Sequence, residues 1–146
     1  MLQRLFHTEN DYTLAVLRLI LGLVFTAHGA QKVLGWFGGP GFEAMLNSFQ
    51  QMGIPFPLAL LAIAAEFLGG LGLLVGLLAR IAALGIISNM VVASLMVHSH
   101  VGFFMNWSGK QQGEGFEFHL LAIALGMAVL VKGAGAFSID RLLAIR

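Results

Sequence analysis

The residues able to do chemistry in this sequence stand out because they interrupt apolar stretches: Arg18, His28, Gln31, Lys32, Glu66, Asn89, His98, His100, Glu117 and His119. Imidazoles and carboxylates in apolar surroundings suit proton transfer, and cations and amides suit binding of a carbonyl or oxyanion. Glu66 and Glu117 are the acid–base candidates. Arg18, His28, Lys32, Asn89, His100 and His119 are the ligand-binding candidates. Paired histidines with carboxylates could also take a metal, or ligate haem axially. Neither HExxH nor His-x3-His spacing occurs, so no metal ligand is assigned, and metal or haem stays an open alternative. The chain has no cysteine, which excludes disulfides, thiolate nucleophiles and iron–sulfur clusters as intrinsic chemistry. Walker, GxGxxG and GxSxG signatures are also missing, so nucleotide chemistry has no support.

The elements that must position these groups follow from composition. Of 146 residues, 58% are hydrophobic and only 10% charged, with a mean hydropathy of +0.88. Soluble chains carry about 25% charged residues, so lipid is the solvent for this exterior. A net charge of +1 offers no basic surface, and nucleic acid is not an expected partner. A membrane-crossing helix needs roughly 20 apolar residues. Four stretches qualify, at about residues 13–35, 55–78, 81–104 and 115–134. The expected fold is therefore an all-α, integral membrane four-helix bundle forming a single domain over residues 1–146. Residues 14–25 resemble the apolar part of a secretion signal, but Arg18 interrupts them and Glu9 and Asp11 precede them, so they are read as the first span. The 36–54 connection places Phe42, Met45, Leu46 and Phe49 at helical spacing, which suits a short interfacial helix facing outward.

Basic residues resist translocation. Arg4, Arg80, Lys132, Arg141 and Arg146 fall on the side shared by both termini, which places the termini in the cytoplasm of a plasma membrane. His28, Lys32, His98, His100, Glu117 and His119 then gather in the outer half, with Glu66 near mid-membrane beneath them. A charge at that depth costs at least about 2.5 kcal/mol on insertion scales and asks for a partner or a use. At 100° per residue, Arg18, His28 and Lys32 share one face of the first span. Asn89 and His100 share a face of the third, whereas His98 points almost oppositely unless that helix loosens near its end. Arg18 and Asn89 sit nearer the cytoplasmic side, where bracing the bundle is the expected role. Ala59, Ala62, Gly69 and Gly70 allow close approach on the Glu66 face, and Gly72 and Gly76 form a separate GxxxG pair.

The order and spacing of several segments resemble the DoxX family of small bacterial and archaeal membrane proteins. These are Arg18 within residues 17–22, His28 and Lys32 within 27–32, Glu66 at the head of 66–70 with Gly76 and Arg80 following, Glu117, and the closing 133–140 segment. The resemblance implies four helices and an association with redox systems. Members are similar to the membrane subunit of thiosulfate:quinone oxidoreductase, and others are linked to thiol and oxidative-stress defence. Arg18, His28, Lys32, Glu66 and Glu117 match the family's polar positions, while Asn89, His98, His100 and His119 rest on residue reading alone.

Two functions of different class are expected from this pattern. The first is a quinone-interacting subunit of an oxidoreductase, with His28, Lys32 and His100 on the quinone oxygens, Glu66 or Glu117 moving protons, and a redox partner protein supplying electrons. The second is a proton-coupled binding or transport module for a small solute. Four helices are few for a carrier, so that version calls for a homo-oligomer.

Overall fold

The computed structural model describes residues 5–144, and every regular element in them is helical. Arg4 and Arg146, which the orientation argument counts, lie outside the described residues. Helix α1 spans Tyr12–Leu34. It opens at Asp11, whose carboxylate accepts the Leu14 N–H at 3.1 Å, and closes at Gly35, where φ of 69° favours glycine. A 3-10 turn at Trp36–Gly38 and the short helix α2, Phe42–Gln51, lie between the first two spans where an interfacial helix is expected. Helix α3, Phe56–Val75, starts after Pro55 and ends at left-handed Gly76. Helix α4, Ala79–Ala93, runs into a π-helical turn at Ser94–His98. Helices α5, Glu117–Lys132, and α6, Ile139–Ala144, complete the chain.

Three helices are long and apolar enough to cross a bilayer: α1, α3, and α4 with its π turn. The fourth expected span is helical as well, but α5 has 16 residues. At 1.5 Å per residue it covers about 24 Å, short of the hydrocarbon thickness of about 30 Å. The four helices pack in a ring, α1 on α3, α3 on α4, α4 on α5, and α5 back on α1. Leu21, Phe25, Leu73, Ile86 and Val129 fill the centre. Leu23, Leu61, Leu68, Leu121 and Val131 point outward as an apolar exterior, which suits lipid and not water. Glycine sets the closest approach. A Cβ added at Gly29 would lie 2.4 Å from the Phe67 Cα, and one at Gly70 would lie 2.5 Å from the Thr26 nitrogen.

The end of the bundle that carries both termini is sealed by side chains bonded to backbone. Arg18 is wholly buried. Its guanidinium donates to the Leu73 and Leu74 carbonyls at the end of α3, and to those of Ala134, Ala136 and Phe137 in the closing segment. Helix C-termini leave carbonyls unpaired, and a planar five-donor cation suits them. Arg80 does the same for α5, donating to Leu130 and Val131. Asp140 returns from α6 to accept the Leu78 and Ala79 N–H groups at 2.7 and 2.9 Å, capping α4 from a distant part of the chain. Burial pushes the Asp140 carboxyl above its ordinary range, against the pull of those two N–H bonds and of Arg18 and Arg80.

Two expectations about the spans need correction. The third ends at His98, not near residue 104, because the π turn is followed by bonded turns at Ser99, Val101 and Gly102 that take the chain out of the helix. Gly76 does not serve a helix-packing GxxxG pair. It terminates α3 with φ of 68°, and a Cβ there would lie 2.4 Å from that of Ser138.

Candidate functional site

At the end opposite the termini the ring of helices holds a cavity of about 220 Å3. Its polar walls are His28 and Lys32 of α1, Glu66 of α3, His98 of the π turn, Glu114 of the following loop and His119 of α5. Phe25, Phe118, Met90 and Met105 supply the apolar remainder. A larger surface cleft of about 520 Å3 lies at the opposite end, between Val75 and the 137–142 segment. Its one charged group, Arg141, is bonded to Asn10, so the distal cavity is the better chemical site.

Lys32 and Glu66 meet as an ion pair, the only salt bridge among the described residues, with side chains 22% and 8% exposed. Removing either partner would leave the other charge buried alone, which usually costs about 3–5 kcal/mol. Glycine at positions 29 and 70 makes the pair possible, since α1 and α3 must nearly touch for a lysine at this depth to reach the carboxylate. His119 is 5% exposed and its Nδ1 has no hydrogen-bond partner among the described residues. Its ring lies against that of His98, with centroids 4.1 Å apart and planes inclined by 43°. Two imidazoles on one ion, each with a metal–nitrogen bond of about 2.0 Å, would hold their centroids about 5 Å or more apart. The two rings therefore pack against each other, tilted and closer than two ligands of one ion would stand. No group of three His, Cys, Asp or Glu with metal-binding geometry occurs among the described residues. His28 is exposed on the cavity side of α1, between Phe25 at 6.2 Å and Phe118 at 5.8 Å, so the cavity opens there.

The remaining expected residues lie elsewhere. Arg18 is at the sealed end on its five carbonyls. Asn89 donates to the Ala62 carbonyl at 2.7 Å, joining α4 to α3. Glu117 accepts from the Met105 N–H at 2.9 Å and the Trp107 Nε1 at 2.8 Å, and so ties down the 105–116 loop without lining the cavity. Gln31 donates to the Phe37 carbonyl.

The largest correction concerns the third span, where His100 is exposed and His98 takes the inward place. Five π-helical residues lag a regular helix by roughly 90°, because the turn holds about 4.4 residues in place of 3.6. That lag swings His98 from the outer face onto the cavity, and the chain leaves the helix before His100. Glu114 was missed, since it falls in a polar loop with no periodic signal. Its backbone carbonyl lies 2.7 Å from the His98 Nδ1, and its carboxylate accepts the Asn106 N–H at 2.6 Å.

Comparison with known proteins agrees with this architecture. The chain is 30% identical to the inner membrane protein YqjF of Escherichia coli over 92% of its own length and 94% of that protein. It is 32% identical to the uncharacterized membrane protein Rv3486 of Mycobacterium tuberculosis, over 98% of its length and 88% of that protein. No solved structure gives a significant match. The DoxX family model matches residues 13–99, which carry α1 to α4 with Arg18, His28, Lys32, Glu66 and His98, and the chain belongs to the DoxX family of integral membrane proteins.

Proposed function

We propose that this DoxX-family protein is a quinone-interacting subunit of a membrane redox system, binding the quinone head in the distal cavity. The observation that carries this reading is His119: a buried imidazole with a nitrogen unpartnered among the described residues, in a cavity walled by aromatic and methionine side chains and a Lys–Glu ion pair. A buried polar atom without a partner costs about 1–3 kcal/mol, and a ligand that bonds it recovers that energy. Pockets for drug-sized molecules begin near 300 Å3, so a smaller cavity suits one ring with its oxygens, while a long apolar tail stays in lipid. The exposed His28 gives such a molecule its entrance. Lys32 and His28 orient an oxygen on the α1 side and His119 faces it from α5. A bound quinone would supply two-electron, two-proton chemistry. The electrons come from a redox partner protein, because the chain has no cysteine and no flavin motif.

We further place the protein in the plasma membrane, by analogy with the inner membrane relative of Escherichia coli, with the sealed end cytoplasmic and α5 crossing as a fourth, shorter span. Arg80, Lys132 and Arg141 at the sealed end support this orientation. The same end weighs against a carrier. Alternating access requires both ends to open, and opening this one breaks the Arg18, Arg80 and Asp140 bonds together. The test is mass spectrometry of an organic extract of gently purified protein, comparing wild type with His28→Ala and Glu66→Gln at matched lipid content. Near-stoichiometric quinone in wild type, lost in both variants, is expected. Equal trace quinone in all three would contradict the site.

A further inference from the structure

We propose that His98 is the proton port of the cavity, passing protons between a bound hydroxyl ligand and water at the distal face, while Glu66 and Glu117 hold structure and do not relay. This inference rests on the quinone reading for the identity of the ligand, a quinol hydroxyl, and on geometry for the route.

The two carboxylates are committed. Glu66 is bound to Lys32, and a proton on Glu66 would strip the ammonium of its counter-charge in a site that water reaches poorly. The Glu117 Oε1 accepts from two groups that can only donate, the Met105 N–H and the Trp107 indole N–H. That arrangement clasps the loop to the start of α5, and Glu117 is not part of the cavity wall.

His98 has the opposite character. It lines the cavity yet is half-buried, so one ring reaches from the interior to the surface. The Glu114 carbonyl beside its Nδ1 can only accept, which fixes the hydrogen of the neutral ring on Nδ1 and leaves the lone pair on Nε2. Nε2 is thereby set to take a proton. In the exchange, a ligand O–H bond breaks and an Nε2–H bond forms. The imidazolium keeps its Nδ1–H on the Glu114 carbonyl, and the Nε2 proton then passes to bulk water. His119 from α5 and the Glu114 carbonyl from the loop lie against this ring, and Lys32 and His28 from α1 and Glu66 from α3 are the other titratable groups of the same cavity. The buried His119 ring, tilted against it, supplies contact with the interior. The π turn explains why the port is on this element, since a regular helix would turn His98 away from the cavity.

Two measurements test the proposal on the full-length protein in lipid nanodiscs. The first is 15N NMR of histidine-labelled protein, with His98→Gln and His100→Gln used for assignment. His98 should show the Nδ1–H tautomer when neutral, and an Nε2–H tautomer would overturn the port. The second is the affinity for a short-chain ubiquinol, measured anaerobically across pH. Wild type and His100→Gln should show the same pH-dependent affinity. His98→Gln, which removes the titrating ring, should flatten the profile. A His98→Gln profile parallel to wild type overturns the port and leaves the quinone reading standing. No binding by wild type at any pH overturns the quinone reading, and the port with it.

Discussion

Replacing Arg18 with alanine tests how the sealed end holds the bundle. The guanidinium reaches five backbone carbonyls from a fully buried position. Among the described residues, no other hydrogen bond reaches the Ala134 or Ala136 carbonyl, so both are orphaned when the cation is removed. Each buried orphan costs about 1–3 kcal/mol, and two give a loss of about 4 kcal/mol before any packing defect is counted. For a chain of this length 1 kcal/mol moves the unfolding midpoint by about 2–4 °C, so Arg18→Ala should lower it by about 10 °C. The assay is thermal unfolding in detergent followed by intrinsic fluorescence. Arg18→Lys should recover less than half of the loss, because an ammonium is a point donor that cannot span carbonyls from two segments. A drop of under about 3 °C for the alanine variant would show that these carbonyls do not depend on the guanidinium, and Arg18 would then be free for a ligand.

Other outcomes follow from the same geometry. Glu66→Gln and Lys32→Met should each destabilise the protein by about 3–5 kcal/mol, while the double variant Lys32→Met/Glu66→Leu should recover most of that, since no lone charge remains; thermal unfolding of the set checks it. Gly29→Ala should cost about 1–3 kcal/mol by forcing α1 off the Phe67 backbone, and should also lower quinone retention, because the Lys32–Glu66 pair depends on that approach. The Asp140 contribution runs opposite to that of an ordinary surface carboxylate. Its folded pKa is raised, so the folded state holds the proton more tightly. Its stabilisation is complete below the ordinary value of 3.8 and is lost as pH rises through the raised value. Unfolding midpoints of wild type should fall across that window relative to Asp140→Asn, and parallel curves would contradict the assignment.

Hydropathy made the spans legible, because a bilayer imposes both their length and their apolarity. The mid-helix place of Glu66 and the shared face of His28 and Lys32 were legible too, since α1 and α3 are regular and 100° per residue holds along them. What failed was local. The π turn has no composition signal in residues 94–98, so the rotation that exchanges His100 for His98 could not be read from a regular wheel. Arg18 shares a face with His28 and Lys32 yet serves the opposite end, because the closing segment and the end of α3 present carbonyls to it. Those partners lie 55 to 119 residues away in sequence. Glu114 reached the site through its backbone carbonyl, an atom every residue carries, so no side-chain pattern could mark it.

The most direct test of the cavity as a quinone site is labelling with a photoreactive quinone in native membranes, followed by peptide mapping. Labels are expected on Met90, Met105 or Phe118, suppressed by excess unlabelled quinone and lost in His119→Phe. Labels confined to the lipid-facing residues or to the 137–142 cleft, unaffected by competitor, would contradict it.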